Sequence, residues 1–235
     1  MAQNEKIGIV LDVETTGLSP HTNEIIELFM IKFSFDQKTG RFIETLDEYS
    51  TFNEPSSSIS SQITRLTGIT NEMVKGASLD LGEILDFCSD VEYFFAHNAS
   101  FDRSFIIKVM PELVHRKWHC SMRHVKWKNH GFPNMKLGTL LDGHGILNDQ
   151  AHRANSDTRS TLELMLKTNS AGHTYLKEMT SRKPMALPAS MKTGPSGQTS
   201  KYSYRRARKM AEQEMAASRE KKAPFRYQTK KNVDS

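Results

Sequence analysis

A chain of 235 residues with 37% hydrophobic and 25% charged residues is long enough for one substantial core with some length left over. Charge is divided unevenly: positions 183–235 hold 13 Lys and Arg against 4 Asp and Glu, a net of +9, while positions 1–182 hold 19 against 23, a net of −4. Two cysteines, Cys88 and Cys120, exclude a disulfide scaffold, no apolar run reaches the length of a membrane span, and the N-terminal residues lack the regions of a signal peptide.

Residues 7–11 form an apolar run that reads as a buried strand. Asp12 and Glu14 follow two residues apart, so on a strand both carboxylates project from one face at its end. Thr15-Thr16-Gly17 reads as a turn, with Gly17 free to take a positive φ. Adjacent carboxylates repel unless a counter-charge neutralises them, and their oxygens suit Mg²⁺ or Mn²⁺. The plainer alternative is a solvated polar strand end.

Residues 24–35 predict a second strand, 36–40 a hairpin turn, and 42–52 a third strand antiparallel to the second. Residues 61–68 predict a short helix stopped by Gly68, and Asn71 is expected to cap another through Val74. Helical spacing appears within 79–89, a strand over 91–96, and a helix over about 100–115 with Phe101, Phe105, Ile106 and Val109 on one face. A short strand is expected within 118–125, a short helix at 136–141, and a last helix opened by Asp157 and running to about Lys167. This alternation predicts an α/β domain over residues 1–182 with helices packed on a mixed sheet. Residues 183–202 read as a flexible linker and 203–235 as a basic, partly helical tail.

In α/β sheets ligands gather beyond the C-terminal strand ends. Asp12, Glu14, Asp102 and Asp157 can converge there, with His152 in the loop before the last helix. Four carboxylates exceed the charge of one Mg²⁺; two ions bridged by a shared carboxylate suit them, the arrangement that hydrolyses phosphodiesters. Histidine is the residue type suited to general base work near neutral pH, and His152 is the candidate in this group. The tail points to the same anionic substrate, because its cations are interleaved with Tyr202, Tyr204, Phe225 and Tyr227, which suit stacking on single-stranded bases. Docking to a polymerase or another protein, and a solvated tail with no specific partner, are the alternatives.

His115, His119, Cys120, His124 and His130 form a second cluster. His115 and His119 have the spacing of a zinc pair on a helix, but no paired cysteine motif completes a site, so the expectation is a basic surface bordering the substrate path. Trp118 and Trp127 are expected to be packing residues and Cys88 a core residue. Asp142, Asp149, Glu24 and Glu27 match no motif and are expected to be solvated or ion-paired.

Leu11-Asp-Val-Glu-Thr-Thr-Gly17, His97-Asn-Ala-Ser-Phe-Asp102 and His152-Arg-Ala-Asn-Ser-Asp157 together resemble the three exonuclease motifs of the DEDD superfamily, histidine subclass, a group that includes the proofreading epsilon subunit of bacterial replicative DNA polymerase. Ile63 to Thr70 and Cys120 to Arg123 are similar to segments that join those motifs. The resemblance covers about residues 7–168. It implies an RNase H-like fold with a mixed sheet of about five strands, and hydrolysis from a 3′ end to nucleoside 5′-monophosphates. It implies that Asp12, Glu14, Asp102 and Asp157 hold two Mg²⁺ or Mn²⁺ ions and that His152 activates water. It places Glu14 and the backbone of Thr15, Thr16 and Gly17 near the 3′-OH, Leu18 against a base, and His97, Asn98 and Phe101 along the channel. The expected substrate is a single-stranded 3′ end, DNA favoured over RNA, in proofreading or repair. RNA hydrolysis is one alternative, and a nucleic-acid-binding or polymerase-associated assembly protein acting through its tail is another. The expected location is the cytoplasm, of a bacterium or of the host if the chain is virus-encoded.

Overall fold

The computed structural model describes residues 4–188; the linker from position 189 and the tail lie outside the described residues. The sheet has five strands, β1 (Glu5–Thr15), β2 (Ile25–Asp36), β3 (Arg41–Phe52), β4 (Tyr93–Ala96) and β5 (Lys117–Cys120), in the order β3-β2-β1-β4-β5. β1–β2 and β2–β3 are antiparallel, and β1–β4 and β4–β5 are parallel. The helices are α1 (Ser61–Thr67), α2 (Asn71–Val74), α3 (Leu81–Phe87), α4 (Ala99–Val109), α5 (Ser121–His124), α6 (Leu137–Gly143), α7 (Ala154–Leu166) and α8 (Tyr175–Thr180), with 3-10 turns at Pro111–His115 and Trp127–His130. No helix among the described residues is long and apolar enough to cross a membrane.

β1 is central and buried on both faces, which explains its continuous apolar run. Ile7, Ile9, Leu11 and Val13 face a core shared with α3 and α4. Val10, on the other parity, joins a core built by α6, α7 and α8. Gly8 shares that second face, and a Cβ there would lie 2.9 Å from the Phe95 ring. The missing side chain thus makes room for the aromatic packing of Phe33, Phe35, Tyr93 and Phe95. Phe94 and Phe95 are fully buried, and burial of such a side chain stabilises by about 1.5–3 kcal/mol.

Several sequence expectations need correction. The helix expected to about residue 115 ends at Val109, because Pro111 cannot continue an α-helix and opens a 3-10 turn. The short strand expected within 118–125 is present as β5, starting one residue earlier, and Ser121 starts α5. Thr70 rather than Asn71 caps α2, its Oγ1 accepting from the Met73 backbone; the Asn71 side chain instead accepts from the Ile59 backbone at 2.8 Å. Asp157 lies in the first turn of α7 but does not open it, and α7 is followed by α8. Gly68 stops α1 at φ +73°, as expected.

Candidate active site

The two layers of helix meet at the C-terminal end of β1, and each brings one carboxylate to the pair that β1 carries. Asp12 and Glu14 lie on the Val10 side, toward α7, and each of Asp12, Glu14 and Asp157 offers a carboxylate oxygen within 4.8 Å of the others. Asp102 comes from the opposite layer, in the first turn of α4. It is 1% exposed. Its Oδ1 accepts from the Val13 backbone N–H at 3.3 Å, and its Oδ2 is buried without a partner.

This crowding disfavours ionisation. Burial, then the charges of Asp102, Glu14, Asp157 and Glu27, hold Asp12 well above the usual carboxylate range. Burial, followed by Asp157, Glu27 and Asp102, pushes Glu14 up to about 9. Burial pushes Asp102 up to about 8 against the backbone N–H groups that favour its charged form. Asp157 is raised by burial, opposed by Asn148 and the His152 backbone. Four oxygen-only acids, each raised in pKa and one with an orphaned oxygen, fit a hard divalent cation.

α7 is delivered to this point by a residue whose role the sequence did not reveal. Glu27 stands opposite Glu14 in the β1–β2 register and is 3% exposed. It accepts from Arg153 Nε at 3.2 Å and Nη2 at 2.8 Å, and from the Ala154 backbone N–H at 3.0 Å. Glu27 is therefore the ion-paired member of its group, and it ties the first turn of α7 to β2 just before Asp157. A glutamate inside an apolar strand run was the available signal, since a buried charge needs a partner. Glu24 forms no ion pair among the described residues: it accepts from the Ser56 N–H and Oγ at 3.0 and 2.5 Å, clamping a loop. Asp142 and Asp149 are exposed.

The loop before α7 is fastened to Asp157 at two points. Asn148 Nδ2 donates to Asp157 Oδ1 at 2.6 Å, and the His152 backbone N–H donates to Oδ2 at 3.2 Å. Ser156 Oγ donates to Asn148 Oδ1 at 2.5 Å, which fixes the orientation of the amide. His152 is exposed and left-handed, φ +64°, a conformation that a non-glycine residue keeps only when its surroundings impose it.

The turn after β1 is built differently from the expectation. Thr15 is buried and donates from Oγ1 to the Gly17 carbonyl at 2.6 Å; Thr16 pairs with Glu24 through its backbone N–H and its Oγ1. Gly17 is not among the positive-φ residues. A Cβ at Gly17 would lie 2.8 Å from the Asn23 amide, which would have to move aside. Leu18, beside this turn, is 85% exposed.

A cleft of about 840 Å³ opens next to Asp157, lined by His97, Met122, Met135, Asn148 and His152 among others. His97 is a neutral brace there. Its Nε2 donates to the Met135 carbonyl at 2.9 Å, so its Nδ1 accepts from Ser121 Oγ at 2.8 Å, and burial pushes its pKa down to about 4. Asn98 and Phe101 do not line the cleft. Asn98 enters α4 at φ +58°, and Phe101 packs on Phe105 at 5.0 Å.

Among the described residues the histidine cluster does not bring three metal ligands together, and His119 is no part of a basic surface. His115 lies in a 3-10 turn and His119 in β5. His119 is 1% exposed, stacks on Tyr93 and Phe95, and sits 3.1 Å from His124 between Nδ1 atoms. Burial, then the His124 charge, pushes it down to about 3. His130 pairs with Glu178 at 2.9 Å. Among the described residues the Asp12–Glu14–Asp157 group alone gathers metal ligands. Trp118, Trp127 and Cys88 are core residues, as expected.

Comparison with known proteins gives a consistent picture. The RNase_T exonuclease family model matches residues 9–165. DNA polymerase III of PolC type from Caldanaerobacter subterraneus subsp. tengcongensis is 35% identical over 165 residues, covering 68% of this chain and 11% of that protein. The Bacillus subtilis counterpart is 35% identical over 170 residues, covering 69% and 11%. The chain thus spans about a tenth of the length of these relatives. Among solved structures, the zinc-bound E. coli ExoI–ssDNA complex superimposes with a TM-score of 0.53 at 14% identity, covering 68% of this chain and 40% of that one. The nuclease domain of 3′hExo, a DEDDh family member bound to rAMP, gives 0.54 at 16% identity, covering 80% and 98%. At these identities the structures share the fold, an RNase H-like exonuclease fold.

Two measurements follow from the site. Glu14 and Asp102 rise from 4.5 and 3.8 to about 9 and about 8 in the metal-free fold. The unfolded chain ionises first, so stability is full below the unfolded values and falls as pH rises toward the folded ones. In EDTA the melting temperature should fall between pH 5 and pH 8; saturating Mg²⁺ or Glu14→Gln should flatten that fall, and a wild-type profile indifferent to Mg²⁺ would contradict the cation fit. Separately, Asn148→Ala frees one Asp157 oxygen from its donor. Loss of a partner that orients a metal ligand typically costs about 10–100-fold in metal affinity, so Mn²⁺ titration by calorimetry should show a shift of about tenfold or more. A shift under twofold would leave Asn148 with no orienting role.

Proposed function

The chain belongs to the RNase_T exonuclease family and is a DEDD-type 3′→5′ exonuclease, and from that premise we propose that it removes nucleotides one at a time from single-stranded DNA 3′ ends, releasing nucleoside 5′-monophosphates. The observation that carries this reading is the carboxylate group at the end of β1, with His152 five residues before Asp157 at the mouth of the cleft. Asp12, Glu14, Asp102 and Asp157 would hold two divalent ions, Mg²⁺ or Mn²⁺. Bound there, such ions would lower the pKa of water and balance charge on the leaving oxygen.

The chain's own residues supply the rest. His152 takes the proton from the attacking water on its imidazole and passes it to solvent, a role its exposure supports. Asp157 holds the backbone of His152 and so fixes where that imidazole starts. Glu14 and the Thr15–Gly17 backbone receive the terminal 3′-OH, and exposed Leu18 packs on a base. His97 acts on the strand indirectly, by bracing the cleft wall.

DNA is favoured because the relatives are DNA polymerases and the ExoI complex contains ssDNA. Proofreading or repair in a cytoplasm, bacterial or host, is the setting this suggests. RNA is the second reading, favoured by one observation: a structural neighbour is a 3′-exonuclease described with a histone mRNA stem-loop. An assembly role through the basic tail, with a polymerase as partner, is a reading of another class.

Labelled single-stranded DNA and RNA of one sequence, incubated with Mg²⁺, test the proposal. A ladder from the 3′ end is expected on DNA, lost in Asp12→Ala and reduced by about 10²–10⁴-fold in His152→Ala. Equal laddering by Asp12→Ala would refute the mechanism, and faster RNA hydrolysis would reverse the substrate choice.

A further inference from the structure

We propose that the surface of residues 121–136 receives the phosphate backbone of the DNA strand on the 5′ side of the nucleotide being removed. This rests on the exonuclease reading above and adds where the rest of the strand goes.

The segment leaves the sheet at the C-terminal end of β5, the end at which Asp12 lies, because β1, β4 and β5 are parallel. It returns to the same place. Both of its ends are tied to one imidazole, Ser121 Oγ to His97 Nδ1 and the Met135 carbonyl to His97 Nε2. Its middle is pinned by buried Trp127, whose indole donates to the Ser121 carbonyl at 2.8 Å. Met122, Met135 and Lys136 line the cleft together with His152 and Asp157. The segment is therefore a held wall that begins at the cleft and extends away from it.

Its charge is unlike that of the body around it. Positions 113–141 contain no Asp or Glu, within a body whose net charge is −4. Arg123, Lys126, Lys128 and Lys136 are all exposed, and none takes part in an ion pair among the described residues. Lys6, Lys32, Arg153, Arg159 and Lys167, elsewhere on the surface, are paired. The acid closest in bonding, Glu178, is engaged by His130, the Lys126 backbone N–H and Asn169. Unpaired cations on a braced wall beside a cleft attract a polyanion, and a strand whose 3′ end occupies the cleft carries its remaining phosphates outward from it.

The test compares the full-length chain on a thymidine dinucleotide and on an oligothymidylate of about twenty nucleotides, reading kcat/KM for each at several salt concentrations. The triple variant Arg123→Glu, Lys126→Glu, Lys128→Glu should lower the long-to-short ratio by about tenfold or more. Its salt slope on the long substrate should shrink by roughly two units, since each single-strand phosphate neutralised contributes about 0.7. A charge-matched control, Lys38→Glu, Arg65→Glu, Lys75→Glu, should keep the wild-type ratio. A partly unfolded variant lowers both rates together, so the ratio still reads the surface. A ratio and slope unchanged in the first variant, or lowered equally in the control, would overturn the assignment. A wild-type chain that hydrolyses neither substrate would instead overturn the exonuclease reading on which it rests.

Discussion

Like charges held together in a half-buried place are the constraint on which this structure depends. Asp12, Glu14 and Asp157 present oxygens within 4.8 Å of one another, and Asp102 adds a fourth acid from below. Bringing such groups out of water costs free energy that only protonation or a bound cation relieves. The fold has to supply the force that keeps them there. Central β1, buried on both faces, fixes Asp12 and Glu14; α4 and α7, packed on opposite faces of the sheet, supply the other two.

Glu27 shows how the chain limits that repulsion. It adds a fifth carboxylate next to Glu14, yet its bonds to Arg153 and Ala154 bring a guanidinium into the same neighbourhood, and Arg153 lowers the Glu14 pKa that the other acids raise. One bonded group thus does two things: it anchors the start of α7 and it offsets charge. The loop of Asn148 and His152 is attached to Asp157 in turn, so the position of the proposed base is tied to that of a proposed metal ligand.

Much of this was legible in the sequence because the acids sit at the ends of strongly patterned elements. The apolar run before Asp12 marks a strand, and the alternation at i and i+2 places Asp12 and Glu14 on one side. What was missed depends on contacts between distant segments. Glu27 acquires its meaning only when β2 is laid beside β1 and α7 above both. Gly17 reads as a turn glycine, but it has no positive φ, and Asn23, six positions on, is folded back against it. His119 falls in a basic stretch of sequence but is buried against the Tyr93 and Phe95 rings. α8 has three buried residues in six, too short a pattern to show a helical period.

The central claim is that the acids at the end of β1 form a cation site. Electron paramagnetic resonance of Mn²⁺ added to the chain with a nucleoside 5′-monophosphate reads this directly. The account predicts a saturable loss of the free-ion signal that disappears in Asp12→Asn. A free-ion signal equal to that of buffer alone, or binding that Asp12→Asn leaves intact, would contradict it.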